Sequence, residues 1–373
     1  MKAEVSIVSC RNYQRNQVQE AVKKAIELIG GISKFVRPGS RVLVKPNLLM
    51  AVAPEAGIDT HPEVVRAVVK ILKEINCRVI LGDAPSVWAG HSENTERVYE
   101  LSGVKKICEE EGVRLVKFER KIWRDGIPLT SRLDECDFLV SIPKFKTHDL
   151  TILTGAIKNL FGLVPGTFKT ELHKNHFKPE DFSKILVDIY QRARPALTLV
   201  DAITAMEGEG PATSGKLRQT NLLLASGDCV ALDSVMAMIM GIEPGRIFTT
   251  REASKRGLGV SDKNSISIKG ESLKNIISQP FELPPTGSFK KKIPEPLVNI
   301  IKKLIKYYPV INHKKCTRCR VCIEVCPVKA MNMKNERITV NYSKCIACFC
   351  CQENCPAAAI NIKKSIFAKI IGL

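Results

Sequence analysis

The chain has no run of apolar residues that approaches the roughly eighteen needed for a membrane-spanning helix. Its start, Met1-Lys-Ala-Glu-Val-Ser-Ile-Val-Ser-Cys10, is too short and too polar for the apolar core of a secretory signal. It also has no Walker loop and no dinucleotide-binding glycine fingerprint, so P-loop ATP chemistry and nicotinamide chemistry are unsupported. We therefore expect a cytoplasmic protein whose chemistry depends on other motifs.

Acidic residues are scarce at the C-terminal end. The net charge of the 373-residue chain is +19, and from Gly287 onward 17 Lys and Arg face only 4 acidic residues. Such a surface suits acidic redox proteins, anionic lipid headgroups or nucleic acid. Nucleic acid is the weakest of the three, because no recognition motif or aromatic stacking series accompanies the charge.

Cysteine, by contrast, is abundant, and eight of the fourteen cysteines repeat one spacing. The two runs are Cys316-x-x-Cys319-x-x-Cys322-x-x-x-Cys326-Pro and Cys345-x-x-Cys348-x-x-Cys351-x-x-x-Cys355-Pro. This is the pattern of a bacterial-type two-cluster ferredoxin, in which the last cysteine of each run ligates the other cluster. We predict two [4Fe-4S] clusters, one on Cys316, Cys319, Cys322 and Cys355, the other on Cys345, Cys348, Cys351 and Cys326.

Zinc and disulfides are the alternative uses of these cysteines. Zinc sites favour two Cys-x-x-Cys pairs separated by a longer loop, and a disulfide framework is typical of small secreted chains. Neither matches the doubled run. Cys350 falls outside the pattern and is interpreted as a spare, and five scattered cysteines are interpreted as buried reduced thiols, namely Cys10, Cys77, Cys108, Cys136 and Cys229.

The C-terminal region also repeats outside the cysteines, since Cys326-Pro-Val-Lys-Ala-Met-Asn-Met is answered by Cys355-Pro-Ala-Ala-Ala-Ile-Asn-Ile. We predict a small α+β ferredoxin-like domain over 312–363, with a short strand over 337–342. A core this small is marginal alone, so the clusters are expected to supply much of its folding free energy.

A proline-rich stretch at 279–288 indicates a domain boundary, and 279–311 is interpreted as a linker with a basic amphipathic helix. Within 295–308, apolar residues recur at helical spacing opposite lysines. This helix either docks on one of the two domains or makes a peripheral contact with a membrane surface. An apolar and basic tail follows at 364–373.

Residues 1–278 alternate apolar runs with helical patterns, which predicts an α/β domain whose largely parallel sheet is covered by helices on both faces. The predicted strands are 5–9, 41–45, 78–81, 114–118, 138–142, 197–200 and 221–225. The predicted helices are 17–28, 62–75, 93–101, 179–192 and 229–240, two of which begin with a proline at a position that favours a first turn.

Polar residues follow four of these strands, where α/β folds bind ligands. We predict one shared site with Lys144, Lys146, His148 and Asp201 as catalytic residues. Its expected ligand-binding residues are Lys45, Asn47, Asp83, Lys158, Asn159 and Glu207. Lysines dominate this set, with Lys169 and Lys174 nearby, so a phosphate or carboxylate ligand is expected.

Two features of this region stay open. His148, His173 and His176 are candidate proton donors or metal ligands, although no pair has convincing metal spacing. The glycine-rich segment 206–211 is either a lid over the site or a turn.

These motifs resemble the DUF362 family. The resemblance rests on Lys45-Pro-Asn47, Gly82-Asp-Ala-Pro85, Pro143-Lys-x-Lys-Thr-His148, Lys158-Asn-x-x-Gly162, Asp201 with Met206-Glu-Gly-x-Gly-Pro211, and Ala225-Ser-Gly-Asp-x-x-Ala-x-Asp233. It covers essentially 1–278, and a two-cluster ferredoxin is a common appendage in the family. It implies a redox setting and no particular substrate.

The leading hypothesis is an electron-transfer protein, a possible ferredoxin-linked reductase. Electrons from a low-potential donor protein would pass through the clusters to a partner or to a ligand at the lysine-lined site. Oxygen-sensitive clusters also suggest an anaerobic or well-reduced cell. The rival hypothesis is a non-enzymatic module that binds an anionic ligand or a client protein, with the ferredoxin domain used for docking or redox sensing.

Overall fold

The computed structural model describes residues 2–85, 92–166, 168–176, 178–276, 279–284 and 307–364. Twelve of its strands precede residue 271. They are β1 (Ala3–Ser9), β2 (Arg41–Pro46), β3 (Arg78–Asp83), β4 (Arg114–Lys117), β5 (Lys121–Arg124), β6 (Ile127–Thr130), β7 (Phe138–Ile142), β8 (Lys144–His148), β9 (Ile152–Thr154), β10 (Leu197–Gly208), β11 (Gly215–Ser226) and β12 (Ile266–Gly270).

Ten of these strands form one sheet with the order β12-β1-β11-β10-β7-β2-β3-β4, and β8 and β9 extend it beside β10. The pairs from β10 through β7, β2 and β3 to β4 are parallel. Only β11 and β9 run antiparallel to their neighbours. This confirms the predicted largely parallel sheet.

Helices cover both faces of the sheet, as fully apolar parallel strands require. They are α1 (Arg15–Glu27), α2 (Pro62–Glu74), α3 (Ser92–Leu101), α4 (Val104–Glu111), α5 (Ala156–Asn159), α6 (Phe168–Asn175), α7 (Pro179–Ala193), α8 (Cys229–Ile239), α9 (Phe248–Lys255) and α10 (Leu273–Ile276). One core packs α1, α2 and α4 on one face, and a second packs α5, α7, α8 and α9 on the other.

The predicted helices agree with the structure to within two residues at each end. Pro62 and Pro179 occupy the first turns of α2 and α7, where a missing N–H costs no helical hydrogen bond. The Asp228 carboxylate accepts hydrogen bonds from the N–H groups of Val230 and Ala231 and so caps α8.

Strands β10 and β11 extend well beyond their predicted lengths of four and five residues. They form a long antiparallel hairpin in which β10 is buried almost throughout. The first seven residues of β11 are instead half-buried or exposed, and most of them are polar. The glycine-rich segment 206–211 forms part of its turn and contains a cis Gly210–Pro211 peptide bond.

The C-terminal region folds into a small duplicated unit. Strand β13 (Tyr307–Ile311) pairs with β16 (Ile360–Lys364), and β14 (Met331–Lys334) pairs with β15 (Arg337–Val340). Two short helices, α11 (Val321–Glu324) and α12 (Cys350–Glu353), follow the two cysteine loops. The loops repeat their backbone conformation, with positive φ at Arg318 and Arg320 in one and at Ala347 and Phe349 in the other.

One sequence prediction is wrong at its edge. Tyr308, placed at the end of the amphipathic helix, lies in β13 opposite Lys363, and its ring contacts Tyr342 edge-on with ring centroids 5.4 Å apart. Strand pairing therefore overrides the helical period there. The rest of the predicted helix, 295–306, and the tail from 365 onward lie outside the described residues.

The C-terminal unit packs directly on the α/β domain. The Thr213 hydroxyl donates a hydrogen bond to the carbonyl of Cys355 over 2.7 Å, and the Gln352 amide donates to the carbonyl of Glu209 over 3.1 Å. Residues 279–284 also lie against the hairpin, where the Gly208 N–H donates to the Glu282 carbonyl over 2.7 Å. Among the described helices, none has the length and apolar character to cross a membrane.

Candidate functional site

Two cavities in the C-terminal unit are each lined by four cysteines. The first is lined by Cys316, Cys319, Cys322 and Cys355. The second is lined by Cys326, Cys345, Cys348 and Cys351. Each quartet contains three cysteines of one run and the last cysteine of the other, which is the grouping that the spacing predicts.

The thiols surround these cavities rather than meeting at one point. Among the described residues, no three His, Cys, Asp or Glu side chains converge to hold a single metal ion. Two crossing cysteines also accept matching backbone hydrogen bonds on sulfur, from Ala330 to Cys326 over 3.1 Å and from Ala359 to Cys355 over 3.2 Å. Apolar walls, four thiols and N–H donors to sulfur fit a polyatomic iron–sulfur cluster.

The other cysteines lie apart from these quartets. Cys350 is fully buried beside the second quartet. Four of the five scattered cysteines are buried and Cys136 is half-buried, and none of the five forms a disulfide. This agrees with their interpretation as reduced thiols.

The two halves of the duplicated unit differ in their surroundings. In the first half, Cys319, Arg320 and Glu324 are exposed. In the second half, every residue from 348 to 355 is buried, and the α/β domain covers this segment. Residue Glu353, which repeats Glu324 at an offset of 29 positions, therefore points into the larger domain.

Glu353 reaches a cavity in the α/β domain that lies beyond the ends of β2, β3 and β8. The cavity collects residues that share positive charge or hydrogen-bonding capacity. The polar ones are Lys45, Asn47, Asp83, Lys146, His148, Thr154, Lys158, Asn159, Lys169, His173 and Glu353. Seven of the ten residues predicted for the site line it.

The floor of the cavity is an ion-pair network in which both charged groups have partners. The ammonium of Lys45, fully buried at the end of β2, lies 2.8 Å from the Asp83 carboxylate and donates to the Asn159 amide oxygen over 3.2 Å. Asp83 also accepts the N–H groups of Leu48 and Ala84. Burial lowers the pKa of Lys45, and Asp83 opposes that shift.

Gly162 is required above this network. A Cβ at that position would lie 2.1 Å from Asp83 Oδ1 and 2.5 Å from Lys45 Nζ. The helical turn carrying Lys158 and Asn159 is fixed by Asp233, which accepts the first N–H groups of α5 from Ala156 and Ile157 over 2.6 and 3.1 Å. The spacing Lys-Asn-x-x-Gly thus places the side chains of Lys158 and Asn159 in the cavity wall. The missing side chain of Gly162 leaves room beside them.

Two further lysines approach the cavity with backbone carbonyls as partners. Lys146 donates to the Ile58 carbonyl over 2.7 Å, and Lys169 donates to the carbonyls of Ala84 and Pro85. Burial lowers the pKa of both ammonium groups to about 7, with Asp59 opposing the shift at Lys146 and Asp83 at Lys169. A bound anion would favour their charged forms.

His148 joins the cavity to the C-terminal unit. Its Nδ1 accepts the N–H groups of Leu150 and Thr151 over 3.0 and 3.4 Å, so a neutral ring carries its proton on Nε2. That atom lies 3.2 Å from Oε1 of Glu353. Burial lowers the pKa of His148 to about 4, and Lys158 lowers it further while Glu353 opposes the shift.

Among the lysines that line the cavity, Lys158 has the fewest polar partners for its ammonium group. In the described part of the chain it forms no direct ion pair, and its ammonium lies 5.6 and 5.8 Å from the ring centroids of Phe161 and Phe182. Two buried oxygens on the same wall, Asn47 Oδ1 and Thr154 Oγ1, have no hydrogen-bond partner among the described residues. A cation and unpartnered polar atoms facing one space indicate a site for a small polar or anionic ligand.

Three predicted site residues lie elsewhere. Lys144 and Asp201 form a separate buried pair at 2.8 Å, and the Tyr13 hydroxyl donates to Asp201 over 2.9 Å. The backbone N–H of His61 also donates to Asp201 over 2.9 Å. Glu207 pairs with Arg218 at 2.8 Å on the hairpin. None of these three predicted residues lines the cavity.

The two remaining histidine candidates and one nearby lysine also divide into residues that line the cavity and residues that do not. His173 lines the cavity, buried and stacked on Phe182 with ring centroids 4.4 Å apart. Lys174 is exposed, His176 is half-buried, and neither lines the cavity.

Sequence reasoning missed Glu353, Asp59 and Thr154. Asp59 and Thr154 lie outside the motifs that follow the predicted strands. Glu353 had one available signal, because it repeats Glu324 in the duplication while lying between two cluster cysteines.

The matches to known protein families fall on the same two parts of the chain, the α/β domain and the C-terminal unit. The family model described as Domain of unknown function (DUF362) matches residues 42–238, and the model described as 4Fe-4S dicluster domain matches residues 308–356. The Thylakoid-associated protein sll1697 of Synechocystis sp. is 31% identical over 265 residues, which is 69% of this chain and 81% of that protein.

Among solved structures, the lactate racemase apoprotein from Thermoanaerobacterium thermosaccharolyticum aligns with a TM-score of 0.41 and 14% identity. The alignment covers 65% of this chain and 58% of that one.

Proposed function

The chain belongs to the DUF362 family and is an iron–sulfur protein, and from this premise we propose that it moves electrons between two [4Fe-4S] clusters and a small anionic ligand in the α/β cavity. It would then act as a ferredoxin-linked reductase in a reducing cytoplasm. The observation that carries the proposal is the position of Glu353. It belongs to the same short helix as Cys351, and it lies 3.2 Å from His148 in the cavity wall.

The cysteines have defined parts in this proposal. Each quartet holds one cluster, and the N–H groups of Ala330 and Ala359 stabilise negative charge on the crossing sulfurs. A bound [4Fe-4S] cluster exchanges one electron at a time, at a potential that ranges from roughly −700 to +450 mV with its surroundings.

The cavity residues bind and orient the ligand. Lys158 supplies an ammonium group that forms no direct ion pair in the described part of the chain, and Asn47 and Thr154 supply free polar atoms on the same wall. His148 lines the cavity and carries its proton on Nε2, 3.2 Å from Glu353, so it can orient or protonate a bound group. Lys45 and Asp83 keep the floor rigid because each is fully paired.

Glu353 can be tested against its own duplicate. Full-length protein is purified without oxygen, and about eight irons and eight sulfides per chain are expected from two clusters. The protein is reduced with titanium(III) citrate, and electron paramagnetic resonance follows reoxidation by a desalted small-molecule extract. We expect Glu353→Gln to slow reoxidation and Glu324→Gln, at the exposed equivalent position, to leave it unchanged.

The outcomes separate the main alternatives. Equal rates in both variants would refute the cavity as the place where the ligand receives electrons. Retention of an extract component by the protein without any reoxidation would instead support the module that only binds a ligand. Loss of iron in Glu353→Gln would be visible directly and would disqualify that variant, in which case His148→Gln takes its place.

The name of the cyanobacterial relative states an association with thylakoids. It supports a second element of the proposal, a peripheral membrane contact through the basic segment 295–308. Flotation of the full-length protein with phosphatidylglycerol vesicles tests this contact. Replacing Lys302, Lys303 and Lys306 with Gln is expected to abolish co-flotation.

A further inference from the structure

The exposed cysteine loop carries more positive charge than its buried duplicate. In the first half, Lys314, Lys315, Arg318 and Arg320 are all exposed around the first quartet. At an offset of 29 positions, their equivalents in the second half are Ser343, Lys344, Ala347 and Phe349. Three of the four cations are therefore specific to the half that faces solvent.

These cations surround the most accessible thiol of either quartet. Cys319 is exposed, whereas Cys348 at the equivalent position is buried. The acidic groups facing this loop are few. Glu336 pairs with Arg318 at 3.3 Å, with both side chains largely exposed, and Glu324 is exposed on α11. Four cations against these two carboxylates leave a net charge of +2 at the loop.

The location of the charge indicates what it binds. A lipid surface or a nucleic acid would need cations alone, at any place on the unit. Here the cations instead ring the thiols that hold the first cluster in the proposed function, while the α/β domain covers the second quartet. A protein that exchanges electrons must approach the exposed quartet closely, and a negative surface would orient it there.

We propose that the loop 313–320 is the docking surface for an acidic electron-carrier protein. This inference rests on the proposed function, because it assigns the two quartets different places: the first faces the carrier and the second faces the cavity. The exchange is a single electron, so that a reduced carrier is oxidised as the first cluster is reduced, and no proton or bond is involved.

Binding is tested with the full-length holoprotein and an acidic plant-type [2Fe-2S] ferredoxin as the probe. Isothermal titration calorimetry at low and high salt gives the affinity. We expect Lys314→Glu and Lys315→Glu combined to weaken it on the order of tenfold at low salt. Lys344→Glu, which makes the same change at the duplicate of Lys315, should alter affinity less than twofold. High salt should weaken binding of the unaltered protein and reduce the difference between variants.

Iron content and reduction by titanium(III) citrate should be the same in all variants, which shows that the clusters and the fold are intact. Equal weakening by Lys344→Glu, or binding that does not depend on salt, would overturn the assignment. Loss of phosphatidylglycerol vesicle binding in the double variant with unchanged ferredoxin affinity would identify the loop as a lipid contact instead. Because this assay measures docking, it can succeed even where reoxidation by a cavity ligand fails.

Discussion

Replacing Gly162 with Ala should destabilise the α/β domain through the buried ion pair beneath it. The new Cβ would lie 2.1 Å from Asp83 Oδ1, whereas ordinary contacts begin near 3.4 Å. Asp83 cannot retreat freely, because it holds Lys45 at 2.8 Å and accepts N–H groups from Leu48 and Ala84 at 2.9 and 2.8 Å.

The expected cost follows from these contacts. Overpacking a tight site costs about 1–3 kcal/mol, and separating a buried ion pair costs about 3–5 kcal/mol. We expect a loss of about 3 kcal/mol, between these limits, because part of the clash can be relieved by shifting the turn that carries Gly162. The same change narrows the cavity and should weaken ligand binding.

Urea unfolding followed by tryptophan fluorescence measures this cost. Both tryptophans, Trp88 and Trp123, precede residue 279, so the signal reports on the α/β domain. The matched control is Gly245→Ala, because a Cβ there meets no atom within 4 Å. If Gly162→Ala is within about 1 kcal/mol of this control, well below the cost of separating a buried ion pair, the ion pair does not lie where the structure places it.

Three further predictions concern other buried groups. Asp201→Asn should cost about 3 kcal/mol in urea unfolding, because it leaves the buried Lys144 ammonium without its counter-charge; wild-type stability would show that the ion pair does not stabilise the fold. Burial lowers the pKa of Lys169 to about 7, so between pH 7 and 10.5 the unfolded chain binds a proton that the folded chain lacks. Lys169 should therefore contribute a rise in stability with pH of up to about 1.4 kcal/mol per unit, and Lys169→Met should reduce the slope by that amount. Cys350→Val, which copies Val321 of the first half, should leave iron and sulfide content unchanged, whereas a loss of iron would make Cys350 a ligand.

Much of the fold follows from local pattern. Prolines at the first turns of α2 and α7 and the Asp228 cap fix helix ends through contacts within a few residues. The β10–β11 hairpin was underpredicted because its outer half mixes polar and apolar residues that pair across strands. Cross-strand partners are distant in sequence, so periodicity cannot detect them.

The candidate site is likewise predictable from the sequence only in part. Lys45 and Asp83 converge because parallel strands end at one edge of a sheet, and Asn159 reaches the same cavity from α5. Asp201 also follows the pattern, yet Tyr13, His61 and Lys144 donate to it from distant segments and enclose it in a separate network. The sequence identifies which polar groups are present, and only the packing shows which of them retain a free face.

The sequence by itself determined the two cysteine quartets, because the crossing arrangement follows from spacing and duplication within a short segment. It also determined the parallel sheet and the positive charge at its edge. The tertiary structure alone decided that the duplicated halves are unequal. Docking buries Glu353 beside His148 and leaves Glu324 in solvent, and the repeated cysteine spacing cannot encode that difference because it arises from contacts with a domain more than a hundred residues away.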